Sequence, residues 1–241
     1  MTAPERAAAD SVAPLRLVLN VPACRLDVVE RGSVRHSYPV AVGTEDHRTP
    51  LGSFPVDRVV WNPWWVPPPF EWARDMTVTP PGPDNPTGRV KLFFGYYHFL
   101  HGTPLEESLG APASHGCVRM RNADAIALAR VVHAHGSPDL APVVLDSLEG
   151  DPRRTRTIRL AEPVPLSILY QRIEIRRGRL ELHPDPYGLE PIRAEDVRAA
   201  LRVAGLPPEA LDLAVIEAAI ARADRESVSI PLDLSPSMPP R

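Results

Sequence analysis

Apolar residues near the start of the chain recur with a period of two. Leu15, Leu17, Leu19 and Val21 alternate with other residues, as a strand with one buried face requires. Residues 24–30 and 33–42 flank Arg31-Gly32 and predict a hairpin, and residues 51–60 predict another strand. Residues 61–88 break the pattern. This stretch is rich in proline, holds all four tryptophans and is too irregular for a sheet centre. Loops of such length are functional or disordered, and the tryptophans favour an ordered loop packed beside a site. Residues 89–94 and 97–100 predict a strand pair around Gly95, and residues 101–116, rich in Gly, Pro and Ser, a loop. Asn122 is expected to cap a helix over 123–135, with Asp124 in its first turn and Ile126, Val131 and Val132 on its apolar face. Residues 142–146 are expected to return to the sheet.

The pattern changes after that. Residues 147–156 are polar and predict a linker between a domain over 15–146 and a module over 157–234. In the module, residues 166–175 and 180–183 predict two strands around Gly178. A helix over 193–204 ends at Gly205, and Pro207-Pro208 opens a second helix reaching Asp224. Residues 1–14 and 235–241 predict a flexible leader and a loose tail. The fold class is mainly β, with short helices, plus a small α+β C-terminal module.

Composition sharpens this reading. Thirty of the 241 residues are proline, about 12% against a usual value of about 5%, which excludes a chain of long helices. A chain this long buries a core without metal or disulfide staples. The net charge of −3 gives no basic field for nucleic acid. Of the 27 cationic residues only Lys91 is a lysine, which together with the Ala and Pro content reads as coding bias. No apolar run is long enough for a membrane span. The first 14 residues lack the apolar core of a secretory signal.

Chemistry concentrates in Ser114-His115-Gly116-Cys117-Val118-Arg119, which follows His101-Gly102-Thr103 after a short loop. The thiolate, not the thiol, is the strong nucleophile. A neighbouring histidine that takes the proton leaves a thiolate–imidazolium pair, and His101 and His115 are both available. Gly116 permits close approach of a carbonyl, and the N–H groups of Gly116 and Cys117 are candidate oxyanion donors. Most lone cysteines are packing residues, but Cys117 is boxed by polar and small residues. Cys24 begins an alternating strand and is assigned no chemistry. His98, His101, His115 and Cys117 fit no usual zinc spacing, so no metal is expected. His133 and His135 read as surface residues at a helix end, and His36, His47 and His183 receive no role.

These residues resemble the active-site signature of the L,D-transpeptidases with a YkuD-type catalytic domain; Arg119 and residues 157–184 are similar to the ErfK/YbiS-like group. Upstream, Gly82-Pro83-Asp84-Asn85-Pro86-Thr87-Gly88 is similar to the family's Gly-Pro-x-Asn-Pro-x-Gly element. Thr49-Pro50-Leu51-Gly52-Ser53-Phe54 is similar to its Thr-Pro-x-Gly-x-Phe element. The resemblance implies a β-sandwich-like catalytic domain in which Cys117 is the nucleophile and His101 its base, oriented by the main chain at Gly102. It implies that Ser114, His115 and Gly116 shape the oxyanion hole. Arg119 would face an anionic substrate group or buttress the loop. The implied reaction, without a cofactor, forms a thioester on Cys117 from a peptidoglycan tetrapeptide stem and transfers the acyl group to an amine. That amine belongs to another stem, giving a 3–3 cross-link, or to an envelope-protein lysine. Water as acceptor would make the enzyme a carboxypeptidase, and an idle fold would make it a wall-binding protein. β-Lactams, carbapenems above all, are implied as covalent inhibitors, and the periplasm or cell envelope as the compartment.

Overall fold

The computed structural model describes residues 13–234, so residues 1–12 of the expected leader and the whole expected tail lie outside the described residues. The chain divides into two compact units, one of residues up to Leu19 with Cys24–Leu169, the other of Asn20–Ala23 with the chain from Tyr170 onward.

The first unit is mainly β. Its strands are β1 (Leu15–Asn20), β2 (Arg25–Glu30), β3 (Ser33–Pro39), β4 (Val42–Gly43), β5 (Gly52–Trp61), β6 (Val90–Phe93), β7 (Phe99–Thr103), β8 (Pro112–Ser114), β9 (Val118–Arg121) and β10 (Arg156–Leu169). Eight form one sheet in the order β3-β2-β1-β10-β5-β6-β7-β9, while β4 pairs with β8. The alternation at the start of the chain is real: Leu15, Leu17 and Leu19 are all buried. Two helices follow β9, α1 (Asn122–Gly136) and α2 (Pro142–Gly150).

Several expectations fail for identifiable reasons. His101 is not in a loop, because His101-Gly102-Thr103 completes β7 between β6 and β9. Residues 142–146 form the first turns of α2, with Pro142 at the helix start, where its missing N–H is no loss. Asn122 does not cap α1. It is the first helical residue, and its side chain accepts from Arg89 N–H at 2.9 Å and donates to the Thr103 carbonyl at 3.3 Å. The apolar face of α1 is Ala125, Leu128, Ala129 and Val132, with Ile126 and Val131 only half-buried.

The expected linker over 147–156 is part of the first unit. Asn62 donates to the carbonyls of Leu148, Asp151 and Arg154 at 2.8, 3.0 and 3.1 Å, and Arg89 donates to that of Glu149 at 2.9 Å. Side chains thus satisfy the open carbonyls at the end of α2. From there β10 runs between β1 and β5 in the large sheet. Its register against β5 jumps between Arg159 and Val164, so residues 160–163, including Pro163, bulge out of the ladder. The units therefore divide at residues 169 and 170 rather than at 147–156.

His133 is a core residue, not a surface one. It is 1% exposed, and its Nε2 accepts a hydrogen bond from Trp61 Nε1–H at 3.1 Å. Burial lowers its pKa to about 4. An unfolded histidine titrates near about 6.5, so the unfolded chain binds the extra proton first. The stability this neutral histidine supplies is complete above about 6.5 and is lost as pH falls towards 4. We expect thermal unfolding midpoints to fall across that window. His133→Ala should lower stability at pH 7 by about 1–3 kcal/mol for the stranded indole donor alone.

The second unit is α+β. Strands β11 (Ile173–Arg176), β12 (Arg179–Leu182) and β13 (Ile230–Asp233) form one antiparallel sheet, covered by α3 (Ala194–Val203) and α4 (Leu213–Glu226). Leu180, Leu182, Val197, Leu201, Ile216, Ala219, Ala223 and Ile230 make its core. Gly205 takes a left-handed φ of +73° after α3. Pro207-Pro208 remain in the following turn, and α4 begins only at Leu213. Buried Arg172 ties the unit together by donating to the carbonyls of His183 and Glu190 at 3.1 and 2.8 Å and pairing with Asp224.

Candidate active site

Contacts link the four sequence elements: Thr49 and Ser114 brace the Cys117 loop, and Gly88 packs against Gly102. The cysteine follows Gly116, whose φ of +100° is accessible to glycine and strained for other residues. A side chain there would press on His98 Nε2 at 3.3 Å and the Arg48 carbonyl at 3.4 Å. Thr49, 1% exposed, donates to the Gly116 carbonyl at 3.1 Å and accepts from Gly43 N–H at 2.9 Å. Buried Ser114 bridges the loop, accepting from Gly116 N–H at 3.1 Å and donating to the Cys117 carbonyl. Gly116 N–H is thus held by Ser114, so of the two expected oxyanion donors only Cys117 N–H is not committed to this bridge.

The glycines of the other elements serve close packing. A side chain on Gly102 would come within 2.1 Å of Asn122 Oδ1, and one on Gly88 would meet the same atom at 2.1 Å. Asn85, fully buried, donates to the carbonyls of Pro63, Pro80 and Thr79 at 2.9, 3.0 and 3.3 Å. Its Oδ1 accepts from Thr87 N–H and Oγ–H at 2.9 and 2.7 Å. Asn85 therefore pins both ends of the tryptophan-rich loop. That loop touches the site at three points: Trp72 stacks on His115 with centroids 4.0 Å apart, Phe70 meets Tyr97 at 5.3 Å, and the Trp64 carbonyl accepts from Lys91 at 3.3 Å.

His101 is 4% exposed, and its Nδ1 lies 2.7 Å from the Gly102 carbonyl. A carbonyl only accepts, so Nδ1 carries the proton and the neutral ring keeps Nε2 as its base. His115 is exposed, and its ring contacts are Trp72 and, edge-on at 4.6 Å, His47. The Cys117 thiol donates to the Tyr97 carbonyl at 3.4 Å, and its sulfur accepts from Phe99 N–H.

Electrostatics modify the expected thiolate–imidazolium pair. Burial raises the Cys117 pKa to about 11, against the opposing pull of the Phe99 N–H, Lys91 and Arg119. Burial also lowers His101 to about 3; the Gly102 carbonyl opposes this, while the charges of Lys91 and Arg119 add to it. The resting pair is therefore neutral thiol and neutral imidazole. Arg119 is half-buried on β9, where burial lowers its pKa against the opposing fields of Cys117 and Glu107. Cys24, at 7% exposure, is driven up to about 12 by burial alone.

Sequence reasoning missed Lys91, Tyr97 and the bracing role of Thr49. The signal for Lys91 was available: a solitary lysine in an arginine-rich chain, set between Val90 and Leu92 in a strand. The Zn set considered above does not gather into one ligand shell. Among the described residues, the one convergent group of three metal-type ligands is Glu174, Glu181 and His183 in the second unit.

The fold and these elements define a sheet-based unit with one cysteine just before β9 and a neutral histidine on β7, the strand paired with it. The L,D-transpeptidase (YkuD) catalytic-domain model matches residues 14–153, and the chain belongs to that family. It is 35% identical over 94 residues to the probable L,D-transpeptidase YbiS of Escherichia coli K12, covering 36% of this chain and 31% of that protein. It is 31% identical over 122 residues to the putative L,D-transpeptidase YqjB of Bacillus subtilis, covering 48% and 65%. The chain thus spans less than two thirds of either relative's length. Among solved structures, an L,D-transpeptidase from Mycobacterium smegmatis aligns over 65% of this chain and 59% of that one, with 15% identity and a TM-score of 0.42.

Proposed function

We propose that the protein is a cysteine acyltransferase acting on peptidoglycan stem peptides outside the cytoplasmic membrane. The observation that carries this reading is the braced loop: Thr49 and Ser114 fix the main chain on both sides of Cys117, while His101, on the strand paired with β9, is held in its basic tautomer. In the first step the Cys117 sulfur attacks the amide carbonyl preceding the terminal D-residue. The S–H proton passes to His101 Nε2 and then to the leaving nitrogen, the C–N bond breaks, and a thioester remains. Because thiol and imidazole are both neutral at rest, the proton moves during the attack rather than before it. Cys117 N–H, which the Ser114 bridge leaves uncommitted, would be the main-chain donor to the developing oxyanion. In the second step an acceptor amine, from a stem or an envelope-protein lysine, attacks the thioester and restores the thiol. Arg119, beside the nucleophile, would meet a substrate carboxylate.

The test is mass spectrometry of muropeptides after incubation with the purified protein. Dimers linked by a new amide are expected. Trimmed monomers alone would replace the transferase by a hydrolase, and unchanged muropeptides would leave a wall-binding protein. A carbapenem presents a strained amide to the same sulfur, so intact-mass analysis is expected to give one adduct per chain, mapped to Cys117.

A further inference from the structure

Lys91 is the chain's single lysine, and it is only 7% exposed. Burying an ammonium is expensive unless partners compensate. Its partners are sparse: the Trp64 carbonyl at 3.3 Å and the face of Phe99, with Nζ 4.9 Å from the ring centroid. It makes no ion pair with a carboxylate among the described residues. A buried cation with spare donors and no fixed anion marks a place where negative charge is needed.

Strand register says where. Lys91 on β6 stands opposite His101 on β7, and His101 stands opposite Arg119 on β9. Directly paired residues share a face of the sheet, so the three form one transverse row. Phe99, two residues before His101 and on the same face, lies beneath Lys91 Nζ, while its own N–H donates to the Cys117 sulfur. Burial lowers the Lys91 pKa to about 8 and raises that of Cys117 to about 11; against both shifts each field helps the other's charged form, Lys91 favouring the thiolate and Cys117 the ammonium.

We propose that Lys91 is the counter-charge of the Cys117 thiolate, a positioning residue that lowers the cost of negative charge on the nucleophile. The inference rests on Cys117 being the nucleophile. His101 cannot fill this role, because it lies between two cations that oppose its protonation. Arg119 contributes from β9 but is also under the field of Glu107. The remaining titratable groups around the thiol are His98, against Gly116, and His115, which itself faces His47. Neither histidine is an anion and the field of Glu107 falls on Arg119, so the sulfur is the anion that Lys91 can answer.

The experiment follows Cys117 alkylation by iodoacetamide against pH, with peptide mapping, in the unaltered protein, Lys91→Met, Lys91→Gln and Lys91→Arg. An opposite charge nearby favours a thiolate by about 1–3 pKa units, so below the Lys91 midpoint of about 8, where the ammonium is present, both neutral variants are expected to be alkylated about ten-fold or more slowly. The arginine variant keeps the charge and is expected to stay close to the unaltered profile. Unchanged alkylation rates below about pH 8 in Met and Gln would overturn the inference while Cys117 remains the nucleophile. If Cys117 resists labelling in the unaltered protein while Cys24 takes it, the nucleophile assignment falls and the inference with it. A second measurement needs no change at Lys91. The ε-carbon NMR signal of a single lysine titrates without ambiguity, and its midpoint is expected to fall in Cys117→Ser. A midpoint that stays put there would also overturn the pairing.

Discussion

Cys117→Ala is expected to abolish turnover of muropeptides, leaving a folded protein. The substitution removes the sulfur, the only atom in the site able to carry the acyl group as a thioester. The Thr49 and Ser114 bonds run to main-chain atoms of Gly116 and Cys117, so the loop keeps its braces. Cys24→Ser supplies the contrast. Cys24 is buried just before β2, and its thiol is held neutral up to about 12. It should change stability modestly and leave most of the rate. Dimer formation per folded protein, measured by mass spectrometry, reads the difference. Residual turnover in Cys117→Ala above that of a heat-killed sample would move the nucleophile elsewhere.

His101→Ala is expected to lower the rate by about 10²–10⁴-fold, the range for a positioned general base. The control is His36→Ala, on the exposed strand β3, where the ring only stacks beside Tyr38 at 6.0 Å. Comparable losses in the two variants would remove His101 from the base role. The pH profile adds a second check. A histidine near about 6.5 would lose its basic form on mild acidification. His101 stays neutral until pH approaches about 3. The acidic limb of kcat/KM should therefore lie well below the usual histidine midpoint. A limb centred near 6.5 would mean that another group limits the rate.

The site was legible to the extent that its chemistry is local in sequence. Cys117, His101 and the glycines stand in short motifs, and those motifs coincide with the main-chain braces in the structure. Long-range geometry was not legible. Whether a short apolar run such as residues 142–146 becomes strand or helix depends on tertiary partners, and Asn62 and Arg89 hold the end of α2 from far upstream. His101-Gly102-Thr103 read as loop because glycine weakens a strand. Its Gly102 is required by the approach of Asn122, twenty residues later in sequence. His133 read as surface because its partner, Trp61, lies 72 residues away. Lys91 needed the register of three strands before its neighbours could be named.

The burial of Lys91 also decides what the enzyme can do to itself. An acyl thioester that reacts with amines is a hazard to any protein carrying accessible lysines. Here the remaining cationic side chains are all guanidinium groups, which stay protonated and are poor nucleophiles at neutral pH. The single ε-amine is buried, engaged by the Trp64 carbonyl and, below its midpoint of about 8, held as an ammonium, which cannot attack. In the proposed reaction the described surface therefore offers no lysine side chain to compete with the acceptor. If the proposed thioester forms, the arginine-for-lysine bias of the sequence, whatever its genetic origin, spares this chain attack by its own surface amines.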